Sequence, residues 1–94
     1  MPSRSLEHYP PDIVDHVIER YAADAIPLVH GLLEELDSDR LSRCALFVAD
    51  GSIQELREAV KLGKLDYRDL IVNAEYDRSM NQLRDFNQPF DPKK

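Results

Sequence analysis

LSRCALFVADGSIQEL, residues 41–56, decides the fold. Its middle, Cys44 to Ala49, is a continuous apolar run of a length that suits either a buried strand or a piece of buried helix. Only Val48 in that run is β-branched, which favours helix. Leu41, Cys44, Ala45 and Val48 recur at helical spacing, while Leu46 and Phe47 lie off that face. A helix apolar on most sides belongs at the centre of a bundle. Asp50-Gly51 ends it, with Gly51 suited to the left-handed position past a helix C-terminus. Ser52-Ile-Gln-Glu55 then reads as a capping box, in which Ser52 accepts from the Glu55 amide and Glu55 reaches back.

Working outward, the next helix carries the stripe Ile53, Leu56, Ala59 and Val60, and Gly63 is expected to stop it. Asp66 caps a fifth helix with Tyr67, Leu70, Ile71 and Ala74 on its inner face and Asp69 in its first turn. Upstream, Ser38 caps the central helix. Pro27 breaks the pattern before it, so a helix is expected to restart at Asp24 as N-cap and to bury Ile26, Val29, Leu32, Leu33 and Leu36. The first helix opens at Pro11, a good first-turn residue, with Ile13, Val14, Val17, Ile18 and Tyr21 inside and Asp12, Asp15, His16 and Glu19 on the opposite, solvated face. After Asp77 one further short turn through Met80 and Leu83 is expected. The fold class is therefore all-α: a single small bundle of five helices over residues 1–94. Residues 1–10 form an N-terminal extension and residues 84–94 an extended aromatic C-terminal tail. The connections are short, which makes consecutive helices neighbours.

The composition agrees. The chain has 94 residues, 43% apolar and 32% charged, with only three glycines. This suits one domain with one small core. No apolar run approaches the roughly 20 residues of a membrane span, and the N-terminal sequence has no apolar secretory region. The expected compartment is the cytoplasm, in a bacterium. The net charge of −6 sits in residues 1–40, where three arginines face nine carboxylates; residues 41–94 are balanced. Such a chain suits neither a phosphate lattice nor an anionic membrane. Cys44, the only cysteine, reads as a buried core thiol.

No catalytic, cofactor or metal residues are assigned. His8, His16 and His30 have no second histidine or cysteine at a ligand spacing. Asp12, His16 and Glu19 share a helix face and offer at most a weak cation site, read instead as a solvated face on which His16 pairs with Asp12. The serines fall at caps or surface positions, and no nucleophile elbow, P-loop or dinucleotide fingerprint is present. The balance is against an enzyme, and no small-molecule ligand is evident. Glu75 and Arg78 are expected to form a surface pair.

The partner reading rests on apolar residues outside the core stripes. Leu62 points away from its helix's stripe, and Val72 and Tyr76 lie nearly opposite Leu70, Ile71 and Ala74. Phe86 and Phe90 are the apolar residues of a polar tail and are expected to be mostly buried in a groove. Val72 and Tyr76, in cis or on a second copy, are the expected groove. Leu62, Val72, Tyr76, Phe86 and Phe90 are thus the candidate partner-binding residues of a non-enzymatic protein–protein interaction or self-associating module, with a homodimer or another protein as partner. The alternative is a nucleic-acid-binding or transcription-regulator-associated protein using a helix-turn-helix-like hairpin at 52–77, with Ala59 four residues before Gly63. Nucleic acid is the less favoured partner. Asp69 stands where that motif wants an apolar residue, and the reading helix carries four carboxylates. That alternative requires a coherent positive patch of Arg57, Lys61, Lys64 and Arg68.

Overall fold

The computed structural model describes residues 8–90. The expectations for residues 1–7, and the exposure expected of Pro92, Lys93 and Lys94, lie outside these. Among the described residues there are five α-helices: α1 Pro11–Arg20, α2 Ile26–Leu33, α3 Asp39–Ala49, α4 Ile53–Leu65 and α5 Tyr67–Glu75. Residues 76–90 form no helix; one isolated antiparallel bridge joins Tyr76 to Gln82. The fold is an all-α bundle.

Local chemistry sets the boundaries. Pro11 occupies the first turn of α1, where its missing N–H costs nothing. Ser38 Oγ accepts from the Leu41 amide at 3.2 Å and Ser52 Oγ from the Glu55 amide at 3.1 Å, opening α3 and α4. Asp66 closes α4 and opens α5, its carboxylate accepting from the Arg68 amide at 3.1 Å. Asp50 and Gly51 both adopt left-handed backbone after α3, at φ 47 and 90.

Seven of the eleven residues of α3 are buried, the highest share in the bundle. It packs on α4, α5 and α1, while α2 packs on α4 and α1. The core joins Ile13 and Val17 of α1, Val29 and Leu33 of α2, Cys44, Ala45 and Leu46 of α3, Leu56 and Val60 of α4, and Leu70 and Ala74 of α5. Each large side chain fully removed from water there contributes about 1.5–3 kcal/mol.

Several expectations need correction. Asp24 caps nothing: residues Ala23–Ala25 form a 3-10 turn that leads into α2 behind Ala25. Ile18 is 56% exposed and Tyr67 54%, so neither belongs to the inner face of its helix. Met80 and Leu83 lie on the turn and strand-like run after α5, not on a helical turn.

Gly63 does not end α4. The helix runs two residues past it, and Gly63 is buried inside it. A Cβ there would meet Leu36 Cδ2 and Leu70 Cδ2, each at 2.9 Å. The glycine lets α4 approach both leucines, so packing outweighs its poor helix propensity. Gly63→Ala gains about 1 kcal/mol of propensity and loses about 1–3 kcal/mol to overpacking. Because Leu70 is wholly buried, the net result is expected to be a loss near 1 kcal/mol, read as a lower midpoint in urea.

Candidate functional site

Two features stand out, one buried and polar, the other open and mixed. The buried one begins with Glu75. It extends the inner stripe of α5 and is fully buried. Arg40 of α3 donates to both its carboxylate oxygens, Nε at 2.9 Å and Nη2 at 2.7 Å. Gln82 Nε2 at 2.9 Å and the Phe86 amide at 3.0 Å also donate to it. Burial pushes the Glu75 carboxyl up, but these donors outweigh it and hold the group below the usual carboxylate range. The expected surface pair of Glu75 with Arg78 is therefore replaced by a buried pair with Arg40.

One turn along α3, Arg43 makes a second fork. Its Nε and Nη2 donate to Asp12 of α1 at 2.7 and 3.1 Å, and its Nη1 donates to the Phe86 carbonyl at 3.1 Å. The Phe90 amide donates to Asp12 at 2.9 Å. Burial pushes the Asp12 carboxyl up, and the bonds from Arg43 and Phe90 bring it below its ordinary value. The Phe90 ring stacks on His16 at 4.5 Å and 14°, and Phe86 packs on Phe47 at 5.4 Å. Burial, with Arg20 adding to it, lowers the His16 pKa and favours the neutral ring.

The face of α1 read as solvated is thus partly covered. Asp12 is committed to Arg43 and to the tail, and His16 stacks on Phe90 rather than pairing with Asp12. The weak cation site disappears with that arrangement, and no group of three or more histidine, cysteine or carboxylate side chains among the described residues could hold a metal ion. The tail residues also change groove. Phe86 is buried, Phe90 only half-buried, and their rings rest on α3 and α1 instead of on Val72 and Tyr76. Polar anchors on Arg43, Asp12 and Glu75 decide this, and no apolar periodicity could announce them.

Cys44 lies in the same region, its Sγ 3.7 Å from Glu75. Burial, then the Glu75 charge, pushes the thiol up to about 12. Thiolate is the reactive form, so Cys44 is expected to resist iodoacetamide in the folded protein at pH 8 and to react once urea unfolds it. Mass spectrometry reads the difference. Rapid labelling of the native protein would contradict it.

The open feature is a groove of about 330 Å³ between α2 and α4. Leu32, Val60 and Leu65 supply its apolar surface, and Arg57, Lys61 and Lys64 its cations. Leu65 is 77% exposed. Glu35 lies across from the cations and holds Lys64 at 2.8 Å; Arg57 and Lys61 make no ion pair among the described residues. Three of the four cations asked for by the nucleic-acid alternative are therefore together. Arg68 stays at 3.9 Å from Asp66 on the next helix. The hairpin itself differs from the expected motif, since Asp66 alone separates α4 from α5 where a four-residue turn was expected.

Of the candidate partner residues, Leu62, Val72 and Tyr76 are each half-buried, and Leu62 packs against the core. Phe86 and Phe90 meet at 5.4 Å between rings, and the Tyr76 amide donates to the Val72 carbonyl at 3.0 Å. None of the five lines the α2/α4 groove. Leu65, which does, lies beyond Gly63, the expected helix end, and so outside every expected stripe. No described helix is long and apolar enough to cross a membrane. No family model matches the chain, and no curated protein or solved structure matches it.

Proposed function

We propose that the protein is a non-enzymatic interaction module that binds an acidic, amphipathic segment of a partner protein in the α2/α4 groove. The observation that carries this is the pairing of exposed Leu65 with two uncompensated cations, Arg57 and Lys61, at one groove of a chain whose net charge is −6. Exposed leucine beside unpaired cations suits a ligand bearing both apolar and carboxylate groups. Helix-in-groove recognition uses apolar anchors one helical turn apart, and flanking carboxylates complement the rim and raise the association rate.

The test uses a fluorescent helical peptide with leucines at i, i+4 and i+7 and glutamates between them. Saturable binding is expected, weakened about tenfold by Leu65→Asp or by Lys61→Glu and weakened further by salt. Leu65 and Lys61 are both exposed, so neither variant is expected to disturb the fold. Binding of duplex DNA in preference to the peptide would transfer the groove to the nucleic-acid reading, and binding of neither probe would remove the proposal.

A further inference from the structure

We propose that this protein self-associates by exchanging its C-terminal strap, residues 82–90, with a second copy, and that Ser79 of the two copies meet on the two-fold axis. This is independent of the groove between α2 and α4.

The observation lies in the hairpin that returns the chain from α5. The Leu83 amide donates to the Glu75 carbonyl at 2.6 Å and the Asp77 amide to the Asn81 carbonyl at 3.0 Å, while Tyr76 bridges Gln82. These three pairs, 75/83, 76/82 and 77/81, share one antiparallel register and leave residues 78–80 as a three-residue loop. Such loops place their last residue in the left-handed region, where glycine is preferred. Here that residue is Met80, at φ 65. Its side chain is 60% exposed, so burial repays little of the cost of that conformation. The loop is held by Asp77, whose carboxylate accepts from the Ser79 and Asn81 amides, and by the Met80 amide on the Asp77 carbonyl.

Apart from the Tyr76–Gln82 bridge, the groups that grip the strap lie on the helical body. Glu75, Arg43, Asp12, Phe47 and His16 hold Gln82, Phe86 and Phe90 whichever chain supplies them. Opening the loop gives up only the local Asp77 bonds and relieves Met80. An extended 76–82 segment then pairs with its counterpart in the same register, Tyr76 opposite Gln82 of the second copy and Ser79 opposite Ser79. A segment of this length spans roughly 20–25 Å, which sets the separation between the facing ends of α5 in the two copies. A short hinge under strain is the usual route to such exchange. The charge of −6 on each copy opposes association, so salt favours the exchanged form.

The test is sedimentation of the full chain at high concentration and high salt, with three variants. Met80→Gly removes the strain from both loops and is expected to weaken dimerisation about tenfold or more. Deleting Ser79 and Met80 prevents the tight turn and is expected to make the dimer dominant. Ser79→Cys is expected to give an interchain disulfide under mild oxidation, because directly opposed residues lie within bridging distance; Gln54→Cys, exposed on α4, serves as the control and is expected not to cross-link. Monomers throughout, in the wild type and in the deletion variant alike, would overturn the proposal. So would a dimer that Met80→Gly leaves unchanged and that cross-links no better through position 79 than through position 54.

Discussion

Arg40→Met is expected to cost the fold about 3 kcal/mol at neutral pH, near the lower end of what breaking a buried ion pair costs. Glu75 would keep the Gln82 and Phe86 donors but lose the two shortest-range charge partners it has, the guanidinium nitrogens at 2.9 and 2.7 Å. The carboxylate is fully buried and cannot turn to water. For a domain of this size the loss corresponds to a fall in melting temperature of roughly 12–24 °C. The pH dependence identifies the cause. In the native protein the Glu75 carboxyl is held below its usual value. The pair's stabilisation is therefore present above the unfolded carboxyl pKa of about 4.3 and is lost as pH falls through the lower native value. Without Arg40, burial pushes that carboxyl up instead, so the variant recovers by taking a proton as the solution is acidified. Urea unfolding at pH 7 and at pH 5 is expected to show a smaller deficit at pH 5. A deficit equal at both would mean that packing of the Arg40 stem, rather than its charge, had been lost.

Phe86→Ala is expected to be as damaging, at about 3–4 kcal/mol. The ring is 5% exposed and wedged between Phe47 and Phe90. Its loss empties the only buried apolar position of the strap among the described residues. Phe90→Ala is expected to cost about half as much, since that ring is half-buried and keeps one broad contact, the stack on His16. Thermal melts of the two variants side by side decide the matter. If Phe90→Ala proved the more costly, the anchor would lie at the His16 stack, and the Phe86 account would be wrong.

The helices and their ends are legible because they are local. Ser38, Ser52 and Asp66 cap amides two or three residues away, and such spacings survive in the sequence. The buried arginine–carboxylate pairs are not local. Arg40 and Glu75 are 35 residues apart and Arg43 and Asp12 31 apart, and no period links them. One signal was present: Glu75 follows Ile71 by four residues and so prolongs the apolar stripe of α5, where a charge needs a partner. Gly63 misled because glycine both ends helices and lets them touch, and only the neighbours Leu36 and Leu70 distinguish the two. The groove depended on that same residue, since a helix ending at Gly63 contains neither Lys64 nor Leu65.

The bond from Phe90 to Asp12 spans 78 residues. The strap follows every group it grips in the sequence, and its bonds to Asp12 and Arg43 close loops of 78 and 43 residues. Contacts of such high sequence separation are slow to close. The body is therefore expected to form first, with Glu75 and Arg43 incompletely paired, and the strap to dock late. An interaction absent from the folding transition state lowers the unfolding rate and leaves the folding rate nearly untouched. The strap therefore acts chiefly on lifetime: it sets how long a folded molecule persists before opening, more than how quickly one is made.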